Sequence, residues 1–180
     1  MASSTLVVGL GNPGPEYALT RHNVGFWAID RLAGALRIRV DAPAGHSLVG
    51  RGQIRGWRVI LAKPQIFMNL SGKAVRALLK SEGLGPEDLI LMHDDMDIAL
   101  GRVKLNTTGG DAGHNGVSSV LEHLATGDFR RLRIGLGRPP HNVEGADWVL
   151  SPFEESEREA AEAAAGEAAD RVAELIRTRR

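Results

Sequence analysis

His22 is the side chain best suited to acid–base chemistry in this sequence. It lies in the segment 9–26, GLGNPGPEYALTRHNVGF, which is rich in glycine and also contains Asn12. An imidazole titrates near neutral pH and can take a proton from water, so His22 is a candidate general base. The alternative is a histidine at the surface or at the start of a helix. A general base also needs its second ring nitrogen to be held, commonly by a carboxylate.

The acidic cluster HDDMD at 93–97 offers such a carboxylate. Asp94 comes first after a predicted strand, and we expect it, ahead of Asp95 and Asp97, to orient His22. Histidine and aspartate also bind divalent metal ions. Neighbouring residues at the end of a strand point to opposite faces, however, and no matching histidine pair with metal-ligand spacing accompanies the cluster. The pattern therefore favours an acidic turn with one oriented carboxylate and no metal.

Two further asparagines precede predicted helices. Asn69 lies in FMNLSG at 67–72 and Asn115 lies in GHNG at 113–116. An asparagine in this position is often a helix cap. Its amide also offers both a donor and an acceptor, which suits recognition of peptide amides and ribose hydroxyls. Tyr17 and Phe67 could stack on a base or a ribose, although a buried aromatic is the ordinary alternative.

The residues GLGNPG at 9–14 match the GxGxxG pattern of dinucleotide-binding loops. Such a loop needs a helix to begin at once, so that its amides face the pyrophosphate. Pro13 and Pro15 remove two of those donors, and the next predicted helix begins only near Asn23. The sequence therefore disfavours a nucleotide cofactor. The GxSxG pattern of serine hydrolases is also absent.

Strands alternate with helices along the chain, which predicts an α/β fold with a mixed, mostly parallel sheet flanked by helices. We expect Asn23 and Ser71 to cap two of the helices. The predicted strands are 5–10, 47–54, 57–62, 88–93, 101–105 and 131–136, and the predicted helices are 23–36, 71–81, 117–124 and 154–177. Ligands in such folds gather beyond the carboxyl ends of strands, so His22 and Asp94 are expected to lie within reach of each other.

Length and composition predict one domain, residues 1–180, with an ordinary apolar content of 43%. No apolar run reaches the length of a membrane span and no signal-peptide pattern opens the chain. The absence of cysteine agrees with a reducing compartment. We therefore expect a soluble cytoplasmic protein.

The formal net charge is zero, but it is unevenly distributed. Residues 151–180 hold eight acidic and five basic side chains, a net of −3, and the rest of the chain carries +3. Folded onto one face, the basic residues could attract phosphate, although a mixed solvated surface explains them equally well. These residues are Arg51, Arg55, Arg58, Lys63, Arg102, Lys104, Arg130, Arg131, Arg133 and Arg138.

Six motifs in order give the sequence a close resemblance to bacterial-type peptidyl-tRNA hydrolase, from Val7 to about Phe153. They are GLGNPGPEY, TRHNVG, KPQIFMNLSG, HDDMD, GHNG and RLRIGLGRP. The resemblance implies a twisted mixed sheet flanked by helices and hydrolysis of the ester that joins a peptide to the 3′ ribose of tRNA, which recycles the tRNA. It also implies a monomer that binds tRNA and uses neither a metal nor an organic cofactor.

Residue roles follow from the same motifs. The resemblance implies that His22 activates water, that Asp94 stabilises the proton-accepting form of His22, and that Asn12 senses the amide of the N-blocked substrate. It further implies a binding site for the peptide and the tRNA 3′ end, lined by Tyr17, Phe67, Asn69 and Asn115.

The chain departs from the family pattern in three places. Asp111 and Ala112 precede HNG where relatives often have a glycine pair, Asn106 stands where some relatives have lysine, and the last helix is acidic. These changes bear on tRNA contact more than on catalysis. Two alternatives to the hydrolase remain: a catalytically silent RNA- or partner-binding member of the fold, and a nucleotide-dependent enzyme that uses the glycine loop.

Overall fold

A computed structural model describes residues 3–179 of the chain. Its centre is one mixed sheet of seven strands in the order β2-β3-β4-β1-β5-β7-β6. The four inner strands β4, β1, β5 and β7 run parallel, and antiparallel strands close both edges. The strands are β1 (Ser4–Gly9), β2 (Ala42–Ala44), β3 (Ser47–Ile54), β4 (Trp57–Pro64), β5 (Leu89–Asp95), β6 (Val103–Asn106) and β7 (Arg130–Gly135).

Helices cover both faces of the sheet. They are α1 (Val24–Leu36), α2 (Ser71–Glu82), α3 (Asn115–Leu124), α4 (Gly145–Val149) and α5 (Glu155–Arg177). Because side chains alternate along a strand, Val7 of β1 packs in one core with α1 and α5, whereas Leu6 and Val8 pack in the other with α2 and α3. Within residues 3–179, no helix is long and apolar enough to cross a membrane.

Two glycines bring the start of α1 against the sheet. A Cβ on Gly9 would lie 2.2 Å from the carbonyl oxygen of Gly25, and a Cβ on Gly25 would lie 2.6 Å from that of Leu10 and 2.7 Å from that of Met92. No side chain fits in those spaces. These two glycines, the last residue of β1 and the second residue of α1, therefore permit close packing of α1 on β1 and β5, and this packing places His22 at the carboxyl ends of both strands.

Most predicted elements are present, and the boundaries need correction in places. β5 continues to Asp95, so Asp94 and Asp95 are strand residues and not part of a turn. The sequence predicts neither β2 nor α4. Asn23 does not cap α1 through its side chain, and Ser71 is the first residue of α2, where its hydroxyl donates to the Met68 carbonyl. Asn23 therefore occupies the predicted N-cap position of α1 without making the capping hydrogen bond, and the prediction that Ser71 caps α2 is wrong, because Leu70 holds that position.

Candidate active site

A cavity of about 330 Å³ opens at the carboxyl end of β5. The short helix α4 forms one wall, and the start of α3 with the loop before it forms another. The lining residues are His22, Asp94, Asp95, Met96, Ala112, Gly113, His114, Asn115, Gly145, Ala146 and Val149.

His22 and Asp94 are in direct contact in this cavity. His22 Nδ1 lies 2.9 Å from Asp94 Oδ2, and both side chains are buried. Burial alone lowers the pKa of His22, but the negative charge of Asp94 and the hydrogen bond to it raise this pKa, and the net value is above the ordinary one. For Asp94, burial raises the pKa, whereas the two neighbouring histidines lower it to well below its usual range. Asp94 is therefore a carboxylate at neutral pH.

His114 is the third member of the cluster, and the sequence did not identify it. Its Nε2 lies 2.8 Å from Asp94 Oδ1, the second oxygen of the carboxylate. Its Nδ1 accepts hydrogen bonds from the backbone N–H groups of Gly116 at 3.0 Å and Val117 at 3.2 Å, so His114 caps α3. Histidine is not among the preferred capping residues, and the GHNG motif drew attention to Asn115 instead.

The cap at α3 determines where the protons lie. His114 Nδ1 must present a lone pair to the two amides, so the proton of the neutral ring is on Nε2 and is donated to Asp94. Asp94, which accepts at both oxygens, then accepts its second hydrogen bond from the N–H of His22 Nδ1. This leaves His22 Nε2 with a free lone pair in the cavity. That is the tautomer a general base requires.

His93 is buried beside this cluster but does not extend it. Its Nδ1 donates to the backbone carbonyl of Asp94 at 2.8 Å, and its ring meets the His114 ring edge-on at 5.1 Å. Burial, together with the neighbouring His114, lowers the pKa of His93 to about 3. His93 is therefore a neutral packing residue at physiological pH.

The ligand atoms of His22, Asp94 and His114 lie within 4.8 Å of one another, close enough to hold a metal ion. A metal at His114 Nε2 would need the lone pair that is absent while Nδ1 accepts two amide hydrogens. Binding would therefore cost the cap of α3. The donor set fits a hydrogen-bonded cluster better than a metal site.

Asn12 lies in a separate groove of about 230 Å³, which Asn23, the residue after His22, also lines. Its Oδ1 accepts from the backbone N–H of Met68 at 2.8 Å. Its backbone N–H and C=O pair with the side-chain amide of Asn23, both at 2.9 Å. Among residues 3–179, no partner takes the hydrogens of Asn12 Nδ2. The loop thus holds Asn12 rigidly and leaves one amide donor available.

The other predicted binding residues lie at different surfaces: one lines the cavity, two flank Met68, and one lines neither the cavity nor the groove. Asn115 lines the cavity that holds His22 and Asp94, as the first residue of α3. Phe67 is 58% exposed, so the alternative that it is a buried aromatic residue is wrong. Asn69 is also exposed. Phe67 and Asn69 flank Met68, whose backbone N–H binds Asn12. Tyr17 is half-buried and lines neither the cavity nor the groove.

The basic residues do not form one free cationic face. Arg51 and Arg58 both pair with Glu82, and Arg133 pairs with Asp95 at 2.9 Å. Arg131 is buried and donates to the backbone carbonyls of Gly109, Gly110 and Gly127. In the described part of the chain, Arg102 and Lys104 at the β6 edge are exposed without an ion-pair partner.

Comparisons with known proteins agree with one another. The sequence profile of the family described as peptidyl-tRNA hydrolase matches residues 6–179. A peptidyl-tRNA hydrolase from Exiguobacterium sibiricum is 47% identical over 152 residues, which cover 84% of this chain and 82% of that protein. One from Mycolicibacterium gilvum is 48% identical over 160 residues, covering 88% and 83%.

Solved structures give the same picture. The crystal structure of peptidyl-tRNA hydrolase from Acinetobacter baumannii superposes with a TM-score of 0.90 at 38% identity, covering 98% of this chain and 90% of that one. A Campylobacter jejuni 5′-methylthioadenosine/S-adenosyl homocysteine nucleosidase superposes with a TM-score of 0.60 at 11% identity, which is a likeness of fold alone.

Proposed function

This chain belongs to the peptidyl-tRNA hydrolase family, and we propose that His22, Asp94 and Asn12 are the residues that carry out its reaction. The chain is a hydrolase of peptidyl-tRNA. It cleaves the ester between the peptide and the 3′ ribose of tRNA and so returns the tRNA to translation. We assign the chemistry to the cavity that contains His22 and Asp94.

The observation that carries the assignment is the hydrogen bond between His22 Nδ1 and Asp94 Oδ2. His22 Nε2 takes a proton from a water molecule as the water attacks the ester carbonyl carbon. The imidazolium that forms is stabilised by the Asp94 carboxylate, and it returns the proton to the departing 3′ oxygen of the ribose. General base catalysis of this kind supplies typically about 10²–10⁴-fold in rate.

His114 supports the pair as a positioning residue. It occupies the second oxygen of Asp94, so the carboxylate cannot rotate away from His22 without losing a hydrogen bond. It also requires Asp94 to be an acceptor on both sides. The silent-member alternative loses support here, because the complete set of His22, Asp94 and their hydrogen bonds is intact.

Asn12 distinguishes peptidyl-tRNA from aminoacyl-tRNA in this proposal. Its Nδ2 donates to the carbonyl oxygen of the first amide, a group that free aminoacyl-tRNA lacks. Asn115, on the wall of the cavity, contacts the reacting end of the substrate. The exposed Phe67 and Asn69, with Tyr17, contribute to binding the peptide and the tRNA 3′ end. We further propose that the protein acts as a cytoplasmic monomer with no cofactor.

The test compares variants on N-acetylated and free aminoacyl-tRNA. His22→Ala should lose about 10²–10⁴-fold in kcat on the N-acetylated substrate. Asn12→Asp should blur the preference for the blocked over the free substrate. His141→Ala, at an exposed loop histidine, is the matched control and should behave as wild type. If His22→Ala keeps most of its activity, His22 is not the base, and if Asn12→Asp keeps full selectivity, Asn12 does not read the amide.

A further inference from the structure

We propose that the groove beside Asn12 is a subsite for the main chain of the second and third peptide residues, counted from the ester. The groove is lined by Asn12, Pro13, Gly14, Ala18, Asn23, Phe26, Trp27, Asp30, Leu48, Lys63 and Gln65, and we call it the Lys63 groove. The inference rests on the proposed function, because it takes the ester to lie at His22 and the first amide to lie at Asn12.

The placement of the two sites sets the direction of the peptide. His22 lines the catalytic cavity, whereas Asn12 and Asn23 line the Lys63 groove. Asn23 follows His22 directly in the chain, and its side chain pairs with the backbone of Asn12. A peptide that passes from the ester at His22 to its first amide at Asn12 has therefore left the cavity. The concave surface that it reaches there is the Lys63 groove.

The polar groups of the groove complement a peptide backbone. Lys63 Nζ donates one hydrogen bond to Asp30 Oδ1 at 2.6 Å, and an ammonium group has three hydrogens to donate. Gln65 uses its Nε2 for the backbone carbonyls of Lys63 and Pro64. Its Oε1 has no donor among residues 3–179. The groove thus offers a donor for a peptide carbonyl and an acceptor for a peptide N–H.

The apolar part of the groove provides a floor without demanding a particular side chain. Phe26 and Trp27 both line it. The Phe26 ring lies directly on the backbone at Gly11, where a Cβ would come within 2.8 Å of the ring. Lys63 Nζ also lies 5.9 Å from the centre of the Phe26 ring, so the charged donor stands beside the apolar floor. A groove that binds the peptide main chain through side-chain donors and acceptors accepts any peptide sequence. This is what an enzyme acting on peptides of arbitrary sequence requires.

The exposed surface of Phe67 and Leu70 offers a second route from Asn12. Phe67 is 58% exposed and Leu70 is 44% exposed, and both lie near Met68, whose N–H binds Asn12. Phe67, Leu70 and the exposed Asn69 between them do not line the groove. The Asn69 amide offers a donor and an acceptor, whereas the groove adds the charged donor Lys63, which makes stronger hydrogen bonds. We therefore assign the second and third peptide residues to the Lys63 groove and leave the first residue and the tRNA 3′ end to the surface of Phe67 and Asn69. Binding of the second and third residues at the Phe67 surface is an explicit outcome of the test.

The experiment measures kcat/KM on N-acetyl-alanyl-tRNA and on its homologues with two and three alanines. In the wild type, kcat/KM should rise by about tenfold from one to three alanines, the size expected for one charged hydrogen bond. Lys63→Met and Gln65→Leu should each lose most of this rise and leave the one-alanine substrate unchanged. Lys73→Met, at an exposed lysine on α2, is the matched control. Binding of deacylated tRNA should be the same in all variants.

Three results would overturn the subsite: a wild type with no dependence on peptide length, a rise that survives in both groove variants, or a rise lost in Phe67→Ala instead. A uniform loss on all substrates with weaker tRNA binding would also reject it, because Lys63 would then contact tRNA. Any of these can occur while Asn12→Asp still loses its selectivity, in which case the proposed function stands without the subsite. If Asn12→Asp keeps its selectivity, the premise itself fails.

Discussion

Replacing Asp94 with asparagine tests the proton arrangement of the active site more directly than removing the base does. The substitution keeps the size and shape of the side chain but exchanges one acceptor oxygen for an NH₂ donor. In the folded protein, the two oxygens of Asp94 accept from His114 Nε2 at 2.8 Å and from His22 Nδ1 at 2.9 Å. An asparagine can accept from only one of these rings.

The hydrogen bonds at α3 determine whether His114 or His22 pairs with the remaining oxygen at position 94. His114 Nδ1 remains an acceptor because it caps α3 through Gly116 and Val117, so His114 Nε2 remains a donor. The amide oxygen of the Asp94→Asn variant therefore faces His114, and the NH₂ group faces His22. His22 Nδ1 must then become an acceptor, which moves the proton to Nε2. The lone pair that would take the proton from water is lost.

The expected loss equals the contribution of the general base, about 10²–10⁴-fold in kcat or about 3–5 kcal/mol of activation free energy. The pH dependence should also change. The wild-type base must be neutral, so activity rises with pH through the raised pKa of His22. Without the negative charge of Asp94, burial alone acts on His22 and lowers its pKa. The acid limb of any remaining activity should therefore move to lower pH.

The assay combines steady-state kinetics on N-acetyl-alanyl-tRNA with nitrogen NMR of the His22 ring. Asp97→Asn is the matched control, since Asp97 is an exposed neighbour that pairs with Arg138 outside the cavity. The double variant Asp94→Asn with His114→Ala gives the sharpest comparison. With His114 removed, the asparagine can turn its oxygen to His22, so the double variant should be more active than Asp94→Asn alone.

The reasoning is refuted if Asp94→Asn stays within tenfold of the wild type, or if NMR still finds the proton on His22 Nδ1. A double variant that is less active than the single one would show that His114 does not control the orientation of the side chain at position 94. Thermal unfolding of each variant separates these outcomes from a loss of fold.

Two further predictions concern acid stability and metal. His93 has a pKa of about 3 in the folded protein and about 6.5 unfolded, so between those values it binds its proton mainly in the unfolded chain. Its contribution should lower the free energy of unfolding by about 2 kcal/mol from pH 6.5 to pH 4.5. The raised pKa of His22 acts in the opposite direction in both proteins, so urea unfolding should show the fall as the difference between the wild type and His93→Phe. Dialysis against a chelator should leave kcat/KM within about twofold, because His114 Nε2 holds a proton and not a metal; inactivation that added zinc reverses would contradict this.

Local patterns in the sequence are sufficient to predict much of the fold. A short β-branched run stopped by glycine identifies β1, and a strand pair around Arg55 and Gly56 identifies β3 and β4, each to within two residues at both ends. The same patterns miss the end of β5, since Asp94 and Asp95 are polar and yet lie in the buried strand. Their burial depends on partners from other segments, which no local pattern records.

Six ordered motifs were enough to establish the family, and they singled out His22, Asp94 and Asn12 as the residues to examine. The arrangement of these residues came from folding. It added His114 to the cluster, placed Asn12 in a groove beside the cavity, and buried Arg131, one of the basic residues considered for phosphate contact. A polar side chain bonds to whichever partners the folded chain brings near it, and those partners are distant in sequence. His22 and Asp94 are 72 residues apart in the chain, and the proton that each ring carries is set by hydrogen bonds that exist only in the folded protein.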